Sequence, residues 1–211
     1  MPHGASAALE AVLDRSRELG FSGAAPIEEQ IKHARGFDSA RQQLGLPIPT
    51  TAVDLGSGGG LPGLVLAEIW ASARVTLLDG STRRCEFLTE ALGELELSDR
   101  VSVACGRAEE LGRDPALRGS FELAVARSFG PPAVVAECGA PFLALGGQLI
   151  VSEPPDADLG QRWPSDGLSQ LGFSDARAVS AEAHFAVIEL QRACPERYPR
   201  RVGVPTKRPL F

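Results

Sequence analysis

Five glycines stand within eight residues of the stretch Val53-Asp-Leu-Gly-Ser-Gly-Gly-Gly-Leu-Pro-Gly63: Gly56, Gly58, Gly59, Gly60 and Gly63. Glycine tolerates positive φ and lets the backbone approach a ligand, because no Cβ holds it away. An apolar run, TAVDL, precedes this loop and a helical pattern, GLVLAEIW, follows it. That strand–glycine–helix context separates a ligand-cradling loop from a tight turn with nothing bound. Two carboxylates frame the loop. Asp79 ends a second apolar run, RVTLLD, and a carboxylate there can accept both hydroxyl hydrogens of an adenosine ribose. Asp79, with Gly80 behind it, therefore fits either a nicotinamide dinucleotide or S-adenosylmethionine. Asp54 comes directly before the glycines, in the order acid-x-Gly-x-Gly with Ser57 between Gly56 and Gly58. That order favours S-adenosylmethionine over a nicotinamide cofactor. It sets a carboxylate near the charged amino group of the methionine end, where opposite charges attract.

Two further sets of residues follow. Arg107-Ala108-Glu109 comes after a third apolar run, at the border of an adenine site. There the Ala108 N–H or the Glu109 carboxylate could read the base edge, although a plain helix N-terminus explains the acids equally well. Arg127 ends a fourth run, FELAVAR, where it could grip a substrate phosphate or a guanine O6, or pair with a carboxylate such as Glu153.

The elements that must position these groups read clearly. Runs at 51–55, 74–79, 100–106, 121–127 and 147–153 alternate with helical patterns, which predicts βαβ units and a mostly parallel, doubly wound sheet. DARAVSA (175–181) and HFAVIELQR (184–192) lie close enough to pair as an antiparallel hairpin. The whole is an α/β, Rossmann-like, seven-stranded sheet with an antiparallel last strand. Residues 1–50 form a helical N-terminal extension, 51–192 the cofactor-binding domain, and 193–211 a basic C-terminal tail.

Composition narrows the classes. The chain has 211 residues, 44% hydrophobic and 23% charged, as in a globular protein with a full core. No apolar run reaches the roughly 20 residues of a spanning helix, and the start lacks a basic segment followed by an apolar block. A cytoplasmic location is expected, with no membrane. Cys85, Cys105, Cys138 and Cys194 lack C-x-x-C spacing and read as small buried residues in a reducing compartment rather than bridges. His3, His33 and His184 are scattered, so no metal is expected. The net charge is −6, yet residues 192–211 carry six Lys/Arg and one Glu, leaving −11 on the rest. A basic tail on an acidic body suggests a local phosphate contact; a solvated, partly disordered tail is the alternative.

VDLGSGGGLPGLVLAE, VTLLDGSTRRCEFL, AVARSFGPPAVVAECGAPFLALGGQL and the ending RYPRRVGVPTKRPLF together resemble the small-subunit rRNA methyltransferase G family, also called glucose-inhibited division protein B. The likeness spans about residues 27–211. The chain departs from the family pattern at Ser152-Glu153-Pro154-Pro155 and in the N-terminal stretch. The resemblance implies methyl transfer from S-adenosylmethionine to guanine N7 in 16S rRNA, with S-adenosylhomocysteine as product and the small ribosomal subunit as partner. It implies cofactor contacts from Asp54, Gly56, Ser57, Gly58, Gly60, Pro62, Gly63, Asp79, Gly80, Arg107, Ala108, Glu109 and Arg127. Arg127 would be the catalytic residue and, with Tyr198, Arg200, Arg201, Lys207 and Arg208, would hold RNA; the protein would act as a monomer. A relative acting on a smaller substrate, a non-catalytic RNA-associated protein and, more remotely, a nicotinamide dehydrogenase are the competing readings.

Overall fold

A computed structural model describes residues 5–211. His3 lies outside them. The chain runs α1 (Ala7–Glu18), α2 (Ile27–Gln43), β1 (Thr51–Leu55), α3 (Gly63–Ile69), β2 (Arg74–Asp79), α4 (Thr82–Glu94), β3 (Val101–Cys105), α5 (Ala108–Leu111) and β4 (Phe121–Ala126). It continues through α6 (Pro132–Gly139), a 3₁₀ turn (Ala140–Phe142), β5 (Leu143–Glu153), α7 (Leu159–Arg162), α8 (Ser165–Leu171), β6 (Arg177–Ser180), β7 (His184–Glu189) and α9 (Val204–Lys207).

The seven strands form one sheet in the order β3-β2-β1-β4-β5-β7-β6. β1 to β5 pair in parallel, while β7 runs antiparallel to both β5 and β6. The chain reverses its direction of winding between β1 and β4, which opens a crevice at their carboxyl ends. The register aligns those ends: Leu55 sits opposite both Leu78 and Ala126, and Asp79 opposite Cys105. The apolar runs become central strands because both sheet faces are covered, so β1 and β4 need no alternation.

One face buries Leu9, Leu13, Ile31 and Phe37 of α1 and α2 together with Leu64, Leu77 and Leu88, so the N-terminal helices share a core with the sheet. Asp38, buried on α2, fixes this docking by accepting from Trp70 Nε1 (2.7 Å), Arg41 Nε (2.8 Å) and Gln42 Nε2 (2.6 Å). The other face buries Leu55, Phe142, Ile188 and Tyr198.

Two expectations are corrected here. Cys85, in the first turns of α4, and Cys105, at the end of β3, form a disulfide across a Cα separation of 5.8 Å. The parallel pairing of β2 with β3 brings the two positions together, and their sequence separation of 20 residues concealed it. Secondly, α7 and α8 fill the connection after Pro155, where no helix was expected. Among the described residues, no helix is long and apolar enough to cross a membrane, and no cluster of three His, Cys, Asp or Glu could hold a metal.

Candidate active site

The glycine loop leaves β1 through three positive-φ residues, Gly56 (71°), Gly58 (54°) and Gly60 (99°). Its course is fixed by its own hydrogen bonds. Ser57 N donates to Leu78 O (2.9 Å) and Gly60 N to Ser57 O (2.7 Å), while Ser57 Oγ donates to Asp54 O (3.0 Å). Leu61-Pro62 is cis, and Pro62 caps α3. Bare α-carbons let neighbours close in. A Cβ on Gly59 would overlap Ser16 of α1, so the N-terminal helix braces the loop from outside. On Gly56 a Cβ would lie 2.6 Å from Phe129 Cδ2, so that ring rests directly on the loop.

Both framing carboxylates are buried, and each is oriented by the backbone. Asp79 Oδ2 accepts from Gly58 N (2.9 Å) and Oδ1 from Ser81 N (2.8 Å). These bonds fix the carboxylate at the end of β2, and each oxygen retains a lone pair for a ribose hydroxyl. Asp54 is 1% exposed, and its Oδ2 accepts from Gly63 N (3.0 Å). Burial raises the Asp54 pKa to about 7, against the opposing pull of the nearby Ser57 hydroxyl and the Gly63 hydrogen bond; Asp79 adds to the rise and Arg127 offsets part of it.

Three buried side-chain atoms around this carboxylate lack a hydrogen-bond partner among the described residues: Asp54 Oδ1, Arg127 Nη1 and His33 Nδ1. Burial lowers the Arg127 pKa, and the Asp54 charge opposes that; burial and the Arg127 charge hold His33 down to about 4. Arg127 thus acts electrostatically on both Asp54 and His33. Unpaired buried polar atoms cost roughly 1–3 kcal/mol each, so a cluster of them points to a ligand carrying both signs of charge. His33, lying against Phe37 and Phe185 at 6.0 Å from each ring, was not anticipated as part of the site.

Beyond Asp79, a narrow cleft opens between Gly80, Arg107, Ala108 and Glu109 on one side and Phe129 and Val134 on the other. Thr206 of α9 supplies another wall, which sequence reasoning missed. Glu109 turns one oxygen to the C-terminal segment: Oε1 accepts from Gly203 N (3.0 Å) and from Arg107 Nη2 (3.2 Å). Burial disfavours its charge, but those two donors prevail and hold its pKa below the usual carboxylate range.

The same geometry gives two residues of the expected RNA surface partners inside the protein. Arg200 is tied to α6: Nε donates to Glu137 Oε1 (2.8 Å), Nη2 to Glu137 Oε2 (2.6 Å), and its backbone N to Oε1 (2.8 Å). Glu137, fully buried on α6, requires such a partner. Tyr198 is also buried, in the second core. Both belong to the docking of the tail, because a buried carboxylate and an apolar pocket outcompete solvent for them. Arg201, Lys207 and Arg208 remain exposed.

Comparison with known proteins now identifies the relationship. The family model for GidB, the rRNA small subunit methyltransferase G, matches residues 31–153. The ribosomal RNA small subunit methyltransferase G of Synechococcus sp. (strain RCC307) is 37% identical over 169 residues, covering 77% of this chain and 71% of that one. Its counterpart in Deinococcus radiodurans is 38% identical over 166 residues, covering 75% and 65%. The chain belongs to the rRNA small subunit methyltransferase G family. The matched span runs from within α2 to the end of β5, so it contains every group of the cluster above. It omits the C-terminal segment that supplies Thr206 and the exposed cations of this family member. The fold is also that of an O-methyltransferase from Bacillus cereus solved in complex with SAH (TM-score 0.62, 14% identity, covering 90% and 93%). A SAH-bound methyltransferase from Podospora anserina shares it as well (TM-score 0.60, 15% identity, covering 90% of each).

Proposed function

We propose that this chain methylates guanine N7 in 16S rRNA, using S-adenosylmethionine. The observation that carries the cofactor assignment is the buried, partnerless pair Asp54 Oδ1 and Arg127 Nη1 beside the glycine loop. An amino-acid end answers both atoms at once, its ammonium toward Asp54 and its carboxylate toward Arg127. The ribose falls to Asp79, and the base to the cleft beside Ala108 and Glu109. When bound, S-adenosylmethionine supplies an electrophilic methyl group on a sulfonium.

Guanine N7 has a free lone pair at neutral pH, so the chain needs no general base. Its residues position and desolvate. The glycine loop and Asp79 fix the nucleoside, Phe129 shields the Gly56 flank from water, and the β4 and β5 ends hold the acceptor. In-line positioning of this kind can contribute about 7–11 kcal/mol. Arg127 is better suited to the small, buried end of the cofactor than to RNA, since its unpaired nitrogen faces inward. RNA backbone contacts then rest on Arg201, Lys207 and Arg208, with Pro205 and Pro209 restricting the segment.

The test is transfer of labelled methyl groups from S-adenosylmethionine to 30S subunits that lack the modification, followed by nucleoside analysis. Appearance of 7-methylguanosine is the expected result. Cofactor binding by wild type but not by Asp79→Ala, with no label entering the RNA, would refute the rRNA assignment while sparing the cofactor site.

A further inference from the structure

A second cleft, of about 340 Å³, lies on the other side of Phe129 from the adenine cleft, between the loop after β4 and the end of β5. The size falls within the range of small-ligand sites, roughly 300–1,000 Å³. Phe129, Pro132, Val151 and Pro154 give it apolar walls, and Arg162 of α7 stands at its edge. Phe129 is delivered there by Ser128, which holds a φ of 56°, a conformation a non-glycine residue keeps only when its surroundings impose it.

The cation is mounted with care. Glu153, at the end of β5, buries its carboxylate and uses both oxygens: Oε1 accepts from Trp163 Nε1 (2.9 Å) and Oε2 from Arg162 Nε. Trp163 is itself 2% exposed, so the carboxylate has a rigid seat. Held through Nε alone, the guanidinium keeps the Nη1 and Nη2 edge free, among the described residues, for another acceptor. The Arg162 side chain is 37% exposed, enough for a macromolecule to reach it.

We infer that this cleft receives the target nucleotide splayed out of the RNA, its base against Phe129 and its phosphate on the Nη edge of Arg162, with Glu153 as the positioning residue. The inference rests on the proposed rRNA reaction and names the acceptor side of that site. Aromatic rings and a paired-off guanidinium suit an unstacked nucleotide, which offers a flat face and an anionic backbone together. The base lies one ring away from the cofactor cleft, on the side of the β4 and β5 ends. Arg162 supplies a cation next to Glu153, and the buried carboxylate is thereby compensated instead of repelling RNA.

The experiment measures binding of 30S subunits and of 16S rRNA across a series of KCl concentrations, with calorimetry of S-adenosylhomocysteine on every variant. Arg162→Gln should weaken RNA binding about 5- to 10-fold and flatten the slope of log affinity against log salt by about 0.7–0.9, leaving cofactor affinity unchanged. Arg162→Lys should keep most of the slope. The double variant Glu153→Gln/Arg162→Gln removes the buried charge along with its partner and guards against simple misfolding. It should show the same flattened slope. A purely structural ion pair predicts the wild-type slope in the double variant, where no bare carboxylate remains to repel RNA, and that result would overturn the inference. Wild-type protein that binds cofactor but neither RNA would instead defeat the rRNA reading itself.

Discussion

Asp54 makes cofactor affinity depend on pH in a direction that can be calculated. In the ligand-free protein burial holds its pKa near 7, against 3.8 for an ordinary carboxylate. An ammonium placed about 4 Å away, in an effective dielectric of about 20, favours the ionised form by about 4 kcal/mol. At 1.36 kcal/mol for each tenfold step, that returns the group to roughly pH 4. Binding of S-adenosylhomocysteine therefore releases a proton between about pH 4 and 7. Affinity should be constant above pH 7, about tenfold weaker at pH 6 and about a hundredfold weaker at pH 5. His33, held near 4, is neutral above about pH 5 and adds no slope of its own there. Asp79 faces Asp54 as a second carboxylate, and Arg127 as the cation. Calorimetry in two buffers of different ionisation enthalpy reads the affinity and the proton count together. Asp54→Asn should abolish the slope and hold affinity at the low-pH limit, about a thousandfold below the wild-type value at pH 8. A flat wild-type profile from pH 5 to 8, with no proton released, would refute the placement of a cationic end beside Asp54.

The same group sets a stability prediction. A raised carboxylate pKa stabilises the fold at low pH, and that contribution is lost as pH rises through about 7. Asp54→Asn should therefore stabilise the ligand-free protein at pH 8 by about 1–3 kcal/mol and change its stability little below about pH 4, where Gly63 N keeps an acceptor in either case. In the tail, Glu137→Ala leaves Arg200 without its buried partner and should cost about 3 kcal/mol in urea unfolding. Exposed cations should behave differently: Arg201→Gln with Lys207→Gln should flatten the salt dependence of RNA binding by about 1.5 while leaving stability within about 0.5 kcal/mol. If Arg200→Gln flattened that slope as much as this pair does, the internal role of Arg200 would be wrong.

Much of the fold was legible because strands buried on both faces show themselves as unbroken Val- and Leu-rich runs. TAVDL and RVTLLD coincide with β1 and β2 to the residue, and Asp54 and Asp79 inherit their positions from the strand ends. What stayed hidden are pairings that depend on distance through space. Glu137 and Arg200 are 63 residues apart, and an arginine in a basic tail looks the same in sequence whether it meets a phosphate or a buried carboxylate. The short α7 and α8 lack a periodic stripe long enough to stand out, which left Arg162 and Trp163 unnoticed. Cys85 and Cys105 sit in unrelated local patterns, and only the β2–β3 register unites them.

These hidden pairings explain how an acidic body carries a basic ending without the two collapsing together. Two buried carboxylates, Glu109 and Glu137, absorb the attraction at chosen points, the Gly203 backbone N–H and the Arg200 side chain. The intervening turn then presents Arg201 outward and sends α9 along the cleft beside Ala108 and Glu109, where Thr206 forms part of the lining while Lys207 and Arg208 lie exposed. One four-residue helix thus borders both that cleft and the exposed cations. Anything that loosens its two anchors must act on both, so a loss of RNA affinity caused at Glu137 should be accompanied by a loss of cofactor affinity, whereas a loss caused at Lys207 should not.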